Sequence, residues 1–221
     1  MLRGLFVTGT DTGIGKTVAA AALLHRYRGL APLRYWKPVQ TGIEQDGDTA
    51  EVRRLAGCRD EELLDVGIRL PRPVSPHLAA SLAGVTITLD GILRFLPPDA
   101  EAACWIVEGA GGVLVPLNQR DFIIDLMRAL ALPVLVVARS SLGTINHTLL
   151  TLEALRSRAL CVAGVVMTGD KNQANREAIE HYGKVPVLAG MPVFEPLDAA
   201  SLGRWAAAEL DPGGRLLEWL R

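Results

Sequence analysis

The chemistry most legible in this chain lies in residues 9–17, GTDTGIGKT. A glycine-bearing turn that runs into Gly-Lys-Thr suits a phosphate cradle. Unpaired backbone N–H groups at a helix start, reinforced by the helix dipole, attract an anion. Lys16 is placed to reach the β- and γ-phosphates of a nucleotide, and the Thr17 hydroxyl to sit on Mg2+. Gly13 and Gly15 let the backbone approach phosphate closely, with Ile14 and Val18 beside them. The spacing is unusual. Five residues separate Gly9 from Gly15, one more than the common P-loop allows. Either Thr10 takes the place of the first glycine or the loop carries an extra residue.

Other chemistry-bearing residues fall at the ends of apolar runs. WKPVQTG (36–42) puts Lys37 where an ammonium can neutralise an anionic substrate or a transferring phosphoryl group, with Thr41 offering a hydroxyl nearby. Lys37 also reads as a solvated edge charge. DGDTAEV (46–52) supplies Asp46 and Asp48 ahead of a helix. Asp48 suits either a Mg2+ ligand or the N-cap of that helix. WIVEGAGG (105–112) places Glu108 after a buried run and before Gly109, Ala110 and Gly111. A carboxylate there suits Mg2+, which prefers carboxylate and water ligands. RSSLGTINHTLL (139–150) offers Ser140, Ser141 and Thr144 as caps on a helix start that could accept a carboxylate. No HExxH, CxxC pair or GxSxG elbow occurs, and the four histidines, His77 included, are read as non-catalytic.

These residues need elements to hold them. Apolar runs at 4–9, 33–39, 104–110, 133–139 and 162–168, with a weaker one at 186–192, read as strands buried on both faces. Helices are expected at 16–28, 47–56, 76–83, 88–96, 120–131, 144–158 and 172–182. A final helical stretch at 198–220 is expected to split near 211–214. Residues 68–77, IRLPRPVSPH, read as a proline-rich loop. Alternating strands and helices predict an α/β fold with a doubly wound, mostly parallel sheet flanked by helices, P-loop NTPase-like, over a single domain, 1–221. Ligands on such sheets sit at the carboxyl ends of the strands, where Gly9, Lys37, Glu108 and Thr168–Gly169 gather.

The formal charge of −1 over 221 residues provides no general attraction to nucleic acid or acidic membranes. Cys58, Cys104 and Cys161 are scattered and suggest no disulfide framework, so a reducing, cytoplasmic setting is expected. No secretory leader is legible at the start, and no run approaches the ~20 apolar residues of a membrane helix.

Taken together, FVTGTDTGIGKT, KPVQTG, SPH, VEGAGG, LVPL and LGTINHTLL, in this order between residue 6 and residue 150, resemble the dethiobiotin synthetase family, whose phosphate loop carries the same extra residue. The resemblance implies ureido ring closure on 7,8-diaminopelargonic acid from CO2 and a nucleoside triphosphate, ATP by default, with Mg2+. It implies that Thr12, Lys16 and Lys37 stabilise carbamate and the transferring phosphoryl group. Thr17, Asp48 and Glu108 would hold Mg2+ directly or through water, and Thr41 would contact substrate. It further implies a homodimer in which Asn146 lies beside the partner's site, and a base packed against Pro192, Val193 and Phe194. The chain departs from the family pattern at Gly13, where an acidic residue is frequent, and at Thr168, where an asparagine that reads adenine is common. Those departures leave the base preference open. Two other readings share the loop: a related carboxylate-activating synthetase, and a switch ATPase of the ParA/MinD class. That second class carries an additional lysine early in the loop, where this chain has Asp11.

Overall fold

The computed structural model describes residues 2–44 and 47–220; Asp46, named above with Asp48, lies outside them. Seven strands form one sheet: β1 (Arg3–Gly9), β2 (Leu33–Trp36), β4 (Leu63–Leu64), β6 (Cys104–Gly112), β7 (Val134–Arg139), β8 (Val162–Thr168) and β9 (Val187–Met191). Their order is β4-β2-β6-β1-β7-β8-β9 and every pairing within it is parallel. β3 (Val39–Thr41) and β5 (Ile68–Leu70) make a second, two-stranded parallel sheet.

The helices are α1 (Lys16–Tyr27), α2 (Asp48–Ala56), α3 (Pro76–Leu82), α4 (Leu89–Leu93), α5 (Ile123–Leu130), α6 (Thr144–Arg156), α7 (Gln173–Gly183), α8 (Ala199–Glu209) and α9 (Leu217–Leu220). They cover both faces of the large sheet. Leu5, Val7, Tyr35 and Ile106 face one core with Leu24 of α1, Leu55 of α2 and Leu202 of α8. Phe6, Trp36, Trp105 and Val107 face the other with Met127 of α5, Leu155 of α6 and Ile179 of α7. Adjacent residues of one strand thus enter opposite cores, as the period of two requires. That is why the strands read as unbroken apolar runs. Each wholly buried Leu or Phe side chain contributes ~1.5–3 kcal/mol of transfer free energy. Among the described residues no helix is long and apolar enough to cross a membrane.

Several expectations need correction. The run 33–39 is not one strand. β2 stops at Trp36, and the chain re-enters structure in a different sheet at Val39. Pro38 has no N–H to give to a central ladder, and its carbonyl instead accepts the Ile68 N–H at 2.9 Å. That bond seeds β5 inside the segment expected to be only loop. β4, two residues long, carries too little pattern to be seen. The helix expected from 120 starts at Ile123, because Asn118 Oδ1 takes the N–H groups of Arg120 and Asp121 and holds them in a turn. α6 begins behind Gly143, with no side-chain cap from Ser140, Ser141 or Thr144. The split of the last helix occurs as expected: buried Asp211 accepts the Tyr27 hydroxyl and the N–H groups of Arg215 and Leu216.

Candidate active site

The phosphate loop joins β1 to α1 at the carboxyl edge of the sheet. Gly15 caps α1 at φ 88° and Gly13 turns at φ 68°. A side chain is disfavoured at both angles, and the space above Gly13 is open within 4 Å. A cavity of about 330 Å3 opens there, walled by residues 12–18 together with Lys37, Gln40, Thr41, Asp48, Glu108, Ala110 and Gly111. It adjoins a second groove of about 480 Å3 that shares Thr12, Gly13, Ile14, Gly15 and Val18. This groove continues along Thr168, Gly169, Met191, Pro192, Val193 and Phe194. The first opening carries the charged side chains Lys16, Lys37, Asp48 and Glu108, and the second is the more apolar, with Arg139 and Ser141 also on its wall; this division suits the phosphates and the base of a nucleotide respectively.

Four side chains from separate segments converge in the first cavity. Lys37 Nζ lies 2.6 Å from Glu108 Oε1 and 2.7 Å from Asp48 Oδ2. The Thr17 hydroxyl stands 3.1 Å from Asp48 Oδ1 and 3.0 Å from Glu108 Oε1. Sheet order accounts for this: β2, β6 and β1 are neighbours, with Trp36 opposite Val107 and Val7 opposite Glu108. Lys37, just past the end of β2, therefore stands level with Glu108, which lies within β6 and not at its end as expected, and the phosphate loop leaves β1 two residues beyond Val7. Asp48 arrives from α2. Gly47 occupies the N-cap position without a side-chain bond, so Asp48 does not cap the helix; its carboxylate is spent on Thr17 and Lys37.

Electrostatics follow from burial. Lys37 is 3% exposed and Glu108 1%, so neither is an edge charge. Burial disfavours the Lys37 ammonium, but the Glu108 and Asp48 carboxylates outweigh it and raise its pKa. Burial likewise opposes the Asp48 carboxylate, and Lys37 outweighs it and lowers the pKa. Lys16 has weaker support. Its ammonium donates to the Asp11 carbonyl at 2.9 Å, and burial, then repulsion from Lys37, brings its pKa down to about 8. The negative charge of a bound triphosphate would offset both effects.

The donor set suits a divalent ion of the kind that phosphate loops employ. Thr17, Asp48 and Glu108 present hard oxygens only, as Mg2+ requires. A buried cation already stands between the two carboxylates, so the position favours positive charge. Among the described residues no cluster of three His, Cys, Asp or Glu side chains forms that could hold a metal ion. The residues fit Mg2+ with its remaining positions left to water and phosphate oxygens.

Of the other residues named from sequence, Thr12, Thr41, Ala110 and Gly111 line the cavity, and Gly109 gives its carbonyl to Lys37 at 3.0 Å. Thr168 lines the groove, and its hydroxyl donates to the Ile14 carbonyl at 3.0 Å. Asn146 is exposed on α6, and neither opening is lined by any residue of that helix. Three residues went unnamed. Tyr35, wholly buried, donates its hydroxyl to Glu108 Oε2 at 2.9 Å; the period-two spacing from Lys37 could have revealed it. Gln40 walls the cavity beside Thr41. Arg139, at the end of β7, pairs with Asp11 across the loop, and no local pattern announces that contact.

Comparison with known proteins agrees with this geometry. The family model described as "AAA domain" matches residues 3–201. The ATP-dependent dethiobiotin synthetase BioD of Paramagnetospirillum magneticum is 47% identical over 201 residues, covering 91% of this chain and 93% of that protein. That of Bradyrhizobium sp. is 46% identical over 209 residues, covering 95% and 96%. The biotin biosynthesis bifunctional protein BioCD of Bordetella avium is 49% identical over 205 residues; the match takes in 92% of this chain and only 42% of that longer protein. Among solved structures, a ParA family ATPase from Chlorobium tepidum superposes with a TM-score of 0.58 at 10% identity, covering 93% of this chain and 98% of that one. The MinC:MinD cell division complex of Aquifex aeolicus gives 0.57 at 11%, covering 92% and 86%. Those two likenesses concern the fold alone, whereas the sequence relatives and the phosphate loop agree on one lineage: the chain belongs to the ATP-dependent dethiobiotin synthetase family of P-loop ligases.

Proposed function

We propose that this chain closes the ureido ring of dethiobiotin on 7,8-diaminopelargonic acid, consuming CO2 and a nucleoside triphosphate. The observation that carries the reading is the convergence of Thr17, Lys37, Asp48 and Glu108 beside a phosphate loop, in a chain whose relatives are named as dethiobiotin synthetases. One amine of the diamine adds to CO2 and loses a proton, giving a carbamate. A carbamate oxygen attacks the γ-phosphorus, and the bond to the β-phosphate bridging oxygen breaks with release of nucleoside diphosphate. The second amine attacks the carbon of the resulting carbamic-phosphoric anhydride; the C–O bond breaks, phosphate leaves, and the ring is closed.

The residues divide this work by charge. Lys16 and the N–H groups of the loop receive the β- and γ-phosphates. Lys37 and Thr12 face the carbamate and the oxygens that gain charge during transfer. Thr41 borders the substrate side of the cavity. Thr17, Asp48 and Glu108 would hold Mg2+, which when bound neutralises the phosphate oxygens. The apolar groove from Thr168 to Phe194 would take the base, with ATP as the default co-substrate.

The working unit in this reading is a homodimer. The cavity and the groove lack any contribution from α6, while Asn146 is exposed and Leu142 and Leu150 near it are 99% and 57% exposed. A second copy laid on this face would bring Asn146 toward the neighbouring cavity and cover those leucines. A biosynthetic step of this kind belongs in the cytoplasm.

The test is phosphate release measured with the diamine and bicarbonate each omitted in turn. Dependence on both supports the reading. Equal turnover without the diamine would overturn it in favour of a nucleotide switch.

A further inference from the structure

Lys37 has no proton to spare. Its Nζ lies 2.6 Å from Glu108 Oε1, 2.7 Å from Asp48 Oδ2 and 3.0 Å from the Gly109 carbonyl. An ammonium donates three hydrogen bonds and no more. In this arrangement nothing remains for a phosphoryl or carbamate oxygen, and with the side chain buried water cannot readily take over the contacts. The same two carboxylates also meet the Thr17 hydroxyl. A divalent ion held by Thr17, Asp48 and Glu108 therefore draws on the oxygens that Lys37 already uses. Two cations that share one carboxylate pair at such short range repel each other.

We propose that Lys37 is the resident counter-cation of the metal site: it neutralises Asp48 and Glu108 before a divalent ion arrives, and it is driven off at least one of them when the ion binds. Binding of the metal and release of the ammonium toward the adjoining cavity are then one event, so Lys37 engages an anionic substrate only in metal-loaded protein. The inference rests on the assignment of Thr17, Asp48 and Glu108 as Mg2+ ligands and adds an order of events to it. The backbone permits the exchange. Lys37 sits at the break between β2 and β3, and its flexible four-carbon stem can re-aim the ammonium without moving the sheet.

The experiment uses Mn2+ as the probe, without nucleotide, and follows free Mn2+ by electron paramagnetic resonance. Wild type, Lys37→Met and Asp48→Asn are compared. Removal of the competing ammonium should tighten Mn2+ binding by about tenfold, a modest coupling between two sites, while Asp48→Asn should weaken it. Equal or weaker binding by Lys37→Met, with Asp48→Asn impaired, overturns the inference and leaves the ligand assignment standing. Equal binding by all three overturns both. Because Lys37→Met leaves the buried Glu108 and half-buried Asp48 carboxylates without their counter-charge and can cost folding, the wild type supplies a second readout. With 15N-labelled lysine, the buried and hydrogen-bonded Lys37 ammonium should give a slowly exchanging signal that shifts or broadens at saturating Mg2+. A Lys37 signal unchanged by Mg2+ overturns the proposal.

Discussion

The Tyr35 hydroxyl donates to Glu108 Oε2 at 2.9 Å, and both side chains are enclosed by the protein. The opposite oxygen, Oε1, is the one that meets Lys37 and Thr17. Tyr35 thus fixes which edge of the carboxylate faces the cavity. Burial, with the Glu108 charge next to it, pushes the phenol pKa well above its ordinary value, so the hydroxyl stays a donor. Tyr35→Phe should leave Glu108 Oε2 unpaired at a cost of ~1–3 kcal/mol. The expected outcome is a lower Tm together with weaker Mn2+ binding. A lower Tm with unchanged Mn2+ affinity would reduce Tyr35 to a packing residue.

Lys16 is held by one backbone carbonyl and is opposed by burial and by Lys37. Its replacement removes an unfavourably placed charge from the free protein and a favourable one from the transition state. Lys16→Met should therefore lower kcat by ~10²–10³ while leaving Tm equal or higher. Steady-state kinetics and thermal unfolding on the same preparation check this, and near wild-type kcat would remove Lys16 from the phosphate site.

Away from the site, Glu62 links α1 to the segment after α2. It accepts from Arg28 Nε at 2.8 Å and from the Arg59 N–H at 2.8 Å. Burial works against its carboxylate, but Arg59 and Arg28 outweigh it and hold the pKa below the ordinary 4.5. The unfolded carboxyl takes up a proton before the folded one does, so this stabilisation is complete above pH 4.5 and is lost as pH falls through the lower folded value. Glu62→Gln should lower Tm near neutrality, and the gap from wild type should close under acid conditions. A Tm gap that persists undiminished down to about pH 3 would contradict the linkage.

In the groove, the Thr168 hydroxyl is committed to the Ile14 carbonyl, and Met191, Pro192, Val193 and Phe194 form much of the remaining wall. Apolar walls accept any base, so the triphosphate should supply most of the affinity. Values of kcat/KM for ATP, GTP, CTP and UTP at fixed Mg2+ should agree within about tenfold, a spread of ~1.4 kcal/mol. A preference for ATP beyond about a hundredfold, ~2.7 kcal/mol, would mean that backbone groups near Pro192–Phe194 read adenine.

The strand, turn and helix start at residues 9–17 were legible without coordinates because their pattern is local. A strand end, a turn with glycines at positive φ and a helix start are contiguous, and the anion site proposed on them needs no distant partner. The large-sheet strands of more than two residues were legible for a similar reason: burial on both faces writes an unbroken apolar run. β4 and the pair β3–β5 were not, since two or three residues carry no period and Pro38 disguises a change of sheet as a continuation. The choice between cap and ligand at Asp48, and between edge charge and buried ion at Lys37, could not be made locally either. Both depend on β2 lying beside β6 and β6 beside β1, an order set by long-range strand pairing. By itself the sequence determined which groups were available and the phosphate-loop pattern among them. Only the packed sheet decided that Lys37, Asp48, Glu108 and Thr17, from four separate segments, come within hydrogen-bonding distance of one another, with Lys37 and Glu108 buried.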